Sequence, residues 1–200
     1  MYAEIVIRGL GQRLASCAAT VLVLAAAMGC APQSIMVRMN NPATPIPAQA
    51  EVVFVNPYNA WNGSSPIEIW DREILVGVLE PRARIHYLTS PGEHVFIGSA
   101  RNQTFLKATL VSGRRYFIAA RSWSVPYAGR FSALDPITRE DKKITADDID
   151  KWLKSLTVQS LDPVKGQAYA NERQAEHEKA VKEYDGGKVK AGVLGPEDNR

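Results

Sequence analysis

The sequence predicts a mainly β protein: an antiparallel β-sandwich of about seven strands, followed by one or two C-terminal helices. Three observations predict it. From Glu51 to Ala120, short runs of β-branched and aromatic residues recur at regular spacing, divided by turn formers. Thr145-Ala-Asp-Asp and Asp162-Pro163 carry helix-start chemistry. The residues before Glu51 belong to a different grammar altogether, that of an export leader and a spacer.

The leader comes first. Residues 1–13 carry Arg8 and Arg13 against Glu4, and Leu14 to Met28 follows without a charge. A permanent membrane anchor needs about 20 apolar residues, and this run is shorter. A basic start, a short apolar run and small residues at its end mark a secretory signal. A buried helix of a cytosolic domain would show a polar face, and this run has none. Two processing routes fit. Ala25-Ala26-Ala27 suits an ordinary signal peptidase. Alternatively, Ala27-Met28-Gly29-Cys30 resembles a bacterial lipobox, with cleavage between Gly29 and Cys30 and lipid on the Cys30 sulfur. It departs from that motif at Ala27, where Leu is usual. The cysteines favour lipidation. There are two, Cys17 and Cys30, and the first leaves with the signal. An exported protein with one leftover Cys needs an explanation, and a lipid thioether supplies it. The resemblance implies a chain held in the membrane through Cys30. Ala31, in place of the Asp that resembles an inner-membrane retention signal, implies the outer membrane, with the domain facing the periplasm.

Residues 30–50 contain four prolines and few large apolar groups. They read as a Pro-rich tether between lipid and domain. An arm packed on the domain through Ile35, Met36 and Val37 is the alternative. The strands then follow over 51–140. Val52 to Val55 is buried, and Ile67 to Trp70 alternates, so Ile67 and Ile69 share a face. Ile74 to Leu79 is weakened or bulged at Gly77. Ile85–Thr89 and His94–Ile97 flank Ser90-Pro91-Gly92-Glu93, which reads as a type II hairpin turn. Thr104–Val111 and Arg115–Ala120 flank Ser112-Gly113-Arg114, a second hairpin.

A helical extension spans 141–185. Thr145 caps the first helix, and Ile149, Trp152, Leu153 and Leu156 form one stripe that docks on the sheet. The second starts at Asp162-Pro163 and ends at Gly186-Gly187. Its apolar seam of Val164, Ala168, Ala175 and Val181 is thin, so it reads as exposed, or else as meeting a partner. Residues 186–200 read as a disordered tail.

The run IWDREILVGVLEPRARIHYLTSPGEHVFIG resembles the core of a family of small bacterial envelope lipoproteins with a domain of unknown function, related to PEGA-type modules. Asp71, Gly77, Leu79, Tyr87, Pro91, Gly92 and His94 stand at its pattern positions. Leu110, Gly113, Tyr116 and Phe117 match its next hairpin. The similarity covers roughly residues 51 to 120. The usual Gly after the Asp is Arg72 here, so that turn departs from the pattern. The resemblance implies a small antiparallel sandwich on a lipid anchor and no known catalytic residues.

The net charge is +3, and the basic residues are dispersed, which gives no case for nucleic acid. There is no phosphate-binding loop, no dinucleotide fingerprint, no nucleophile elbow and no HExxH. Hairpin parity puts His86 and His94 on opposite faces, so they share no metal unless a bulge intervenes. No Ser has a His and an acid at readable spacing. No cofactor is implied. Asp147, Asp148 and Asp150 need no role beyond the helix start.

Exposed aromatics are the remaining lead: Tyr58 and Trp61 in a loop, Trp70 facing away from Ile67 and Ile69, and Trp123 and Tyr127 beside Pro126. Such groups either close the core or stack on sugar rings. The sequence thus points to a non-enzymatic envelope lipoprotein that contacts the membrane through Cys30 and meets another envelope protein. A glycan-binding module using Tyr58 and Trp61 is the alternative.

Overall fold

A computed structural model describes residues 34–42, 44, 46–58 and 65–200. Among them are eleven strands and two helices: β1 (Met36–Met39), β2 (Ala50–Asn56), β3 (Ile67–Asp71), β4 (Ile74–Leu79), β5 (Ala83–Thr89), β6 (Gly92–Ser99), β7 (Gln103–Leu110), β8 (Arg115–Val125), β9 (Gly129–Pro136), α1 (Ala146–Ser155), β10 (Thr157–Leu161), α2 (Pro163–Asp185) and β11 (Ala191–Leu194). One sheet has six strands in the order β1-β10-β5-β2-β8-β9. The other has five, β11-β7-β6-β3-β4.

The period of two along each strand sorts side chains between layers. Val52, Phe54, Tyr116 and Ile118 join Ile67, Ile69, Phe96 and Leu106 in the core between the sheets. There Phe54 meets Phe96 edge-on, with centroids 5.2 Å apart. The alternate residues Val53, Val55, Phe117 and Ala119 form a second cluster with Ile149 and Leu156 of α1. Trp70, Leu75, Val95, Ile97 and Phe105 form a third with Ala180 and Val181 of α2. Each sheet is therefore covered on both faces, with α1 outside one and α2 outside the other. That explains why β2 is buried at all seven positions and reads as a continuous apolar run rather than an alternating one.

Both helices start as the sequence predicts. Thr145 Oγ1 accepts from Asp148 N (3.2 Å), and Asp148 Oδ2 accepts from Thr145 N (3.0 Å), a complete capping box. Asp162 Oδ1 accepts from Val164 N and Lys165 N at 3.0 and 3.1 Å. The bulge suspected at Gly77 is present. The β3–β4 register shifts between Ile69 and Trp70, which oppose Gly77 and Leu75.

Five expectations need correction. The strands number eleven, not about seven. The sheets are mixed, because β2 pairs with β8, β5 with β10 and β7 with β11 in parallel. Neither expected hairpin forms: β5 and β6 lie in different sheets, as do β7 and β8, so both turns carry the chain across the sandwich. The true hairpins are β3–β4, β6–β7 and β8–β9. The segments expected as tether and disordered tail contribute edge strands. β1 pairs with β10 and β11 with β7, and Met36 and Leu194 are buried. Finally, α2 is docked rather than exposed. Of its expected seam, Val164 is 80% exposed, while Gly166, His177, Ala180 and Val181 are the buried positions.

Candidate functional site

Three groups of side chains bring chemistry-bearing residues together, and the first joins the two sheets. Asp71 shares the inward face of β3 with Ile67 and Ile69, and His94 shares that of β6 with Phe96. Tyr87 follows Ile85 on β5, in the opposite sheet. The three meet. Asp71 Oδ2 lies 2.7 Å from His94 Nδ1 and accepts from Tyr87 Oη at 3.1 Å. His94 Nε2 lies 2.9 Å from the Ser90 carbonyl oxygen. A carboxylate and a carbonyl only accept, so the arrangement around His94 favours a ring that donates from both nitrogens, an imidazolium. Its ring is stacked on Phe96 at 5.9 Å. The hydrogen bond to Asp71 raises the His94 pKa above its ordinary value, against the opposing effect of burial. Burial, reinforced by the Asp71 charge, pushes the Tyr87 phenol up to about 12. An Asp–His pair is half of a hydrolytic triad, but a general base must accept a proton. With both nitrogens engaged, His94 does not. The cluster is an inter-sheet strut.

The second group lies on the outer face of the six-stranded sheet. Glu51 Oε1 is 2.7 Å from His86 Nδ1, and its other oxygen accepts from Arg115 Nε. Burial alone would raise the Glu51 pKa. The hydrogen bonds from His86 and Arg115 outweigh it and hold the carboxyl below its usual range. His86 Nε2 is buried with no hydrogen-bond partner among the described residues, so no substrate reaches it. On the same face, the Arg84 guanidinium donates to the carbonyls of Trp152 (3.1 Å) and Leu153. It thereby satisfies the Leu153 carbonyl near the end of α1 and adds a second donor to that of Trp152, which already accepts from Leu156 N at 2.9 Å. His86 and His94 thus sit on different sheets, each with its own carboxylate. The parity argument used a hairpin that does not exist. Among the described residues no three His, Cys, Asp or Glu side chains gather where they can hold a metal.

The third group is aromatic. Trp70, expected at the surface, is 2% exposed and stacked on His177 of α2, with centroids 4.0 Å apart. The His177 ring also bonds the Arg72 carbonyl. Arg72 takes the left-handed φ of 46°. Its guanidinium pairs with Asp185 at 2.9 Å, so contacts to α2 accompany a backbone conformation that Gly adopts freely.

The β8–β9 hairpin differs from Trp70. Pairing of β8 with β2 ends at Ala119, and beyond it β8 pairs with β9 to Val125. On this outer half Trp123 is 42% exposed, Val125 is exposed and Tyr127 is fully exposed. Trp123 stacks on Phe131 at 6.2 Å, with the Arg121 guanidinium 6.0 Å from its ring centre. Ser65 N donates to Ser122 Oγ at 2.6 Å, tying the end of the 57–66 loop to this hairpin. Tyr58, in the same loop, is exposed. Trp61 lies outside the described residues, as do Gly29 and Cys30. No helix among the described residues is long and apolar enough to cross a membrane.

Sequence reasoning missed the Asp71–His94–Tyr87 strut, although it had singled out all three residues. Their meeting depends on which strands face each other across the sandwich. Compared with known proteins, the chain matches no family model, no curated protein and no solved structure.

Proposed function

We propose that this protein is a bacterial envelope lipoprotein, anchored through lipid on Cys30, that acts as a non-enzymatic protein-interaction module. The leader and Gly29-Cys30 support the address, the outer membrane with the domain facing the periplasm. The resemblance of residues 51–120 to small envelope lipoproteins supports the same reading. The observation that carries the interaction role is the β8–β9 hairpin. Trp123 and Val125 lie on the part of β8 beyond its pairing with β2, and Tyr127 in the turn that follows, and grouped exposed apolar side chains mark interaction sites more often than scattered ones do. Both His94 nitrogens face acceptors and His86 Nε2 is buried, which argues against general-base catalysis at either imidazole. A glycan-binding role is the second reading. It is favoured by Tyr58, exposed in the loop that Ser65 ties to the hairpin aromatics.

The test has two parts. The full chain and Cys30→Ser are produced in a host that processes lipoproteins, partitioned in a phase-separating detergent and weighed by mass spectrometry. Anchoring predicts that only the wild type enters the detergent phase, with added acyl mass. Wild type that stays aqueous and starts near Met28 would refute it. A photocrosslinker at Tyr127 is then activated in cells. One discrete protein adduct is the expected result. An adduct with glycan strands transfers the assignment to the second reading, and no adduct removes the hairpin as an interaction surface.

A further inference from the structure

The end of the sandwich that receives the chain from Cys30 is also an arginine-lined cleft. β1 is antiparallel to β10, β10 parallel to β5, β5 antiparallel to β2, and β2 parallel to β8. The N-terminal ends of β1, β2 and β8 therefore lie at one end of the six-stranded sheet. Arg114 and Arg115 stand at the start of β8. β9 is antiparallel to β8, so Arg139, just beyond it, returns to the same end. A cleft of about 500 Å³ opens there, with Arg114, Arg115, Asn199 and Arg200 in its wall and Ile46 and Pro47 at its rim. Arg114 and Arg139 both donate to Asn199 Oδ1, at 3.4 and 3.3 Å. Arg200 N donates to the Arg115 carbonyl at 2.9 Å. Two guanidiniums thus meet at one asparagine, with the Arg200 guanidinium on the Thr138 carbonyl (2.6 Å) and that of Arg115 on Glu51. The acid that lines the cleft, Glu51, is 3% exposed and already committed to His86 and Arg115. Glu140 and Glu197, the exposed acids nearest in sequence, line no part of it.

The occupant follows from geometry and from the anchored reading above, on which this inference rests. Five residues separate Cys30 from Met36, a reach of at most about 21 Å even when fully extended. Four strand spacings separate β1 from β8, about 19 Å. A tether that short keeps the end from which it leaves close to the membrane. Guanidiniums pair with phosphate oxygens in bidentate fashion, and juxtamembrane basic groups are drawn to anionic lipid. An exposed Ile46 (52%) beside them suits the headgroup–acyl boundary better than a free anion in water. We propose that the cleft walled by Arg114, Arg115 and Arg200, with Arg139 joined to it through Asn199, docks on the anionic headgroups of the membrane in which the protein is anchored, so that the β8–β9 tip, at the opposite end of β8, points away from it.

The test uses the mature, purified protein in vesicles of phosphatidylcholine, with and without phosphatidylglycerol. Flotation reports anchoring, and amide hydrogen exchange over 111–116 and 197–200 reports docking. Exchange is expected to slow severalfold in the mixed vesicles relative to the neutral ones, and the difference to shrink with added salt. Arg114→Gln and Arg139→Gln, both at exposed positions, are each expected to weaken docking about fivefold. Arg114→Lys and Arg139→Lys retain the charge and are expected to keep most of it. If the protein floats with both vesicles and exchange is the same in each, the docking surface is wrong and the anchor stands. If inorganic phosphate on neutral vesicles gives the same protection, the cleft takes a free anion and the membrane assignment fails. A protein that does not float with neutral vesicles sinks the anchored reading and this inference with it.

Discussion

His94 is held between two acceptors inside the protein, and that has a pH signature. The hydrogen bond to Asp71 sets its folded pKa above the ordinary imidazole value of about 6.5. A group with a raised folded pKa stabilises fully below its unfolded pKa, and that contribution is lost as pH rises through the folded value. Glu51 has the opposite sign. Its folded pKa is depressed, so its contribution is present above the unfolded value and lost as pH falls through the folded one. Unfolding free energy from urea titrations is therefore expected to decline as pH rises above about 6.5 and through the raised folded pKa of His94. His94→Gln should remove that decline, and an unchanged slope in the variant would place the titrating proton elsewhere. Asp71→Ala strands both His94 and Tyr87 and is expected to cost about 3 kcal/mol, the scale for breaking a buried pair. Residue identity made these carboxylates and imidazoles visible in the sequence. Their partners were not visible, since Tyr87 reaches Asp71 from the other sheet and Arg115 reaches Glu51 through a parallel pairing.

Elements were legible where the signal is local. The capping box at Thr145, the Asp162-Pro163 start and the apolar stripe of α1 depend on residues within one or two turns, and each has its structural counterpart. Turns were legible as reversals but not as hairpins. Ser90-Pro91-Gly92 and Ser112-Gly113-Arg114 have the right chemistry for a sharp bend, yet a bend can return the chain beside its own strand or send it to the facing sheet. Turn residues do not distinguish the two. Parallel partners are further from local reach, which is why β11 was missed. Ala191–Leu194 is four residues long and follows two glycines and two lysines, a composition that reads as tail. Its strand character comes from the open edge of β7, with Ala191 opposite Phe105 and Leu194 opposite Ala108. Leu194 is fully buried, and Asp198 Oδ1 accepts from Arg139 N at 3.1 Å. Ending the chain after Lys190 is expected to cost about 3 kcal/mol, from one buried leucine plus a lost ladder. That corresponds to roughly 10 °C in Tm for a domain of this size. The bared β7 edge should also raise aggregation. A truncated protein with unchanged Tm would return the segment to the status of a spacer.

At the scale of the molecule, neither sheet is one stretch of chain. The backbone crosses from sheet to sheet between β2 and β3, β4 and β5, β5 and β6, β7 and β8, and β10 and β11. Each sheet is completed only by segments that flank the other, and three of the pairings are parallel. Such non-local contacts slow folding, toward the millisecond-to-second range of β proteins, because loop closure must precede the contacts that reward it. They also tie the layers together. α1 packs on one sheet and α2 on the other, so the two helices touch different layers and report on them separately. Trp152 lies in the α1 cluster and Trp70 beneath α2. With the other tryptophans replaced by Phe, each can be followed alone in urea. If the interleaved chain makes the four layers one cooperative unit, the Trp70 and Trp152 transitions will share midpoint and slope, the signature of two-state unfolding. Trp70 responding at lower urea than Trp152 would instead mean that α2 and its sheet open first. The five-stranded layer would then be the mobile part of the molecule, and the six-stranded sheet, which includes the edge strand nearest Cys30, would be the part that persists.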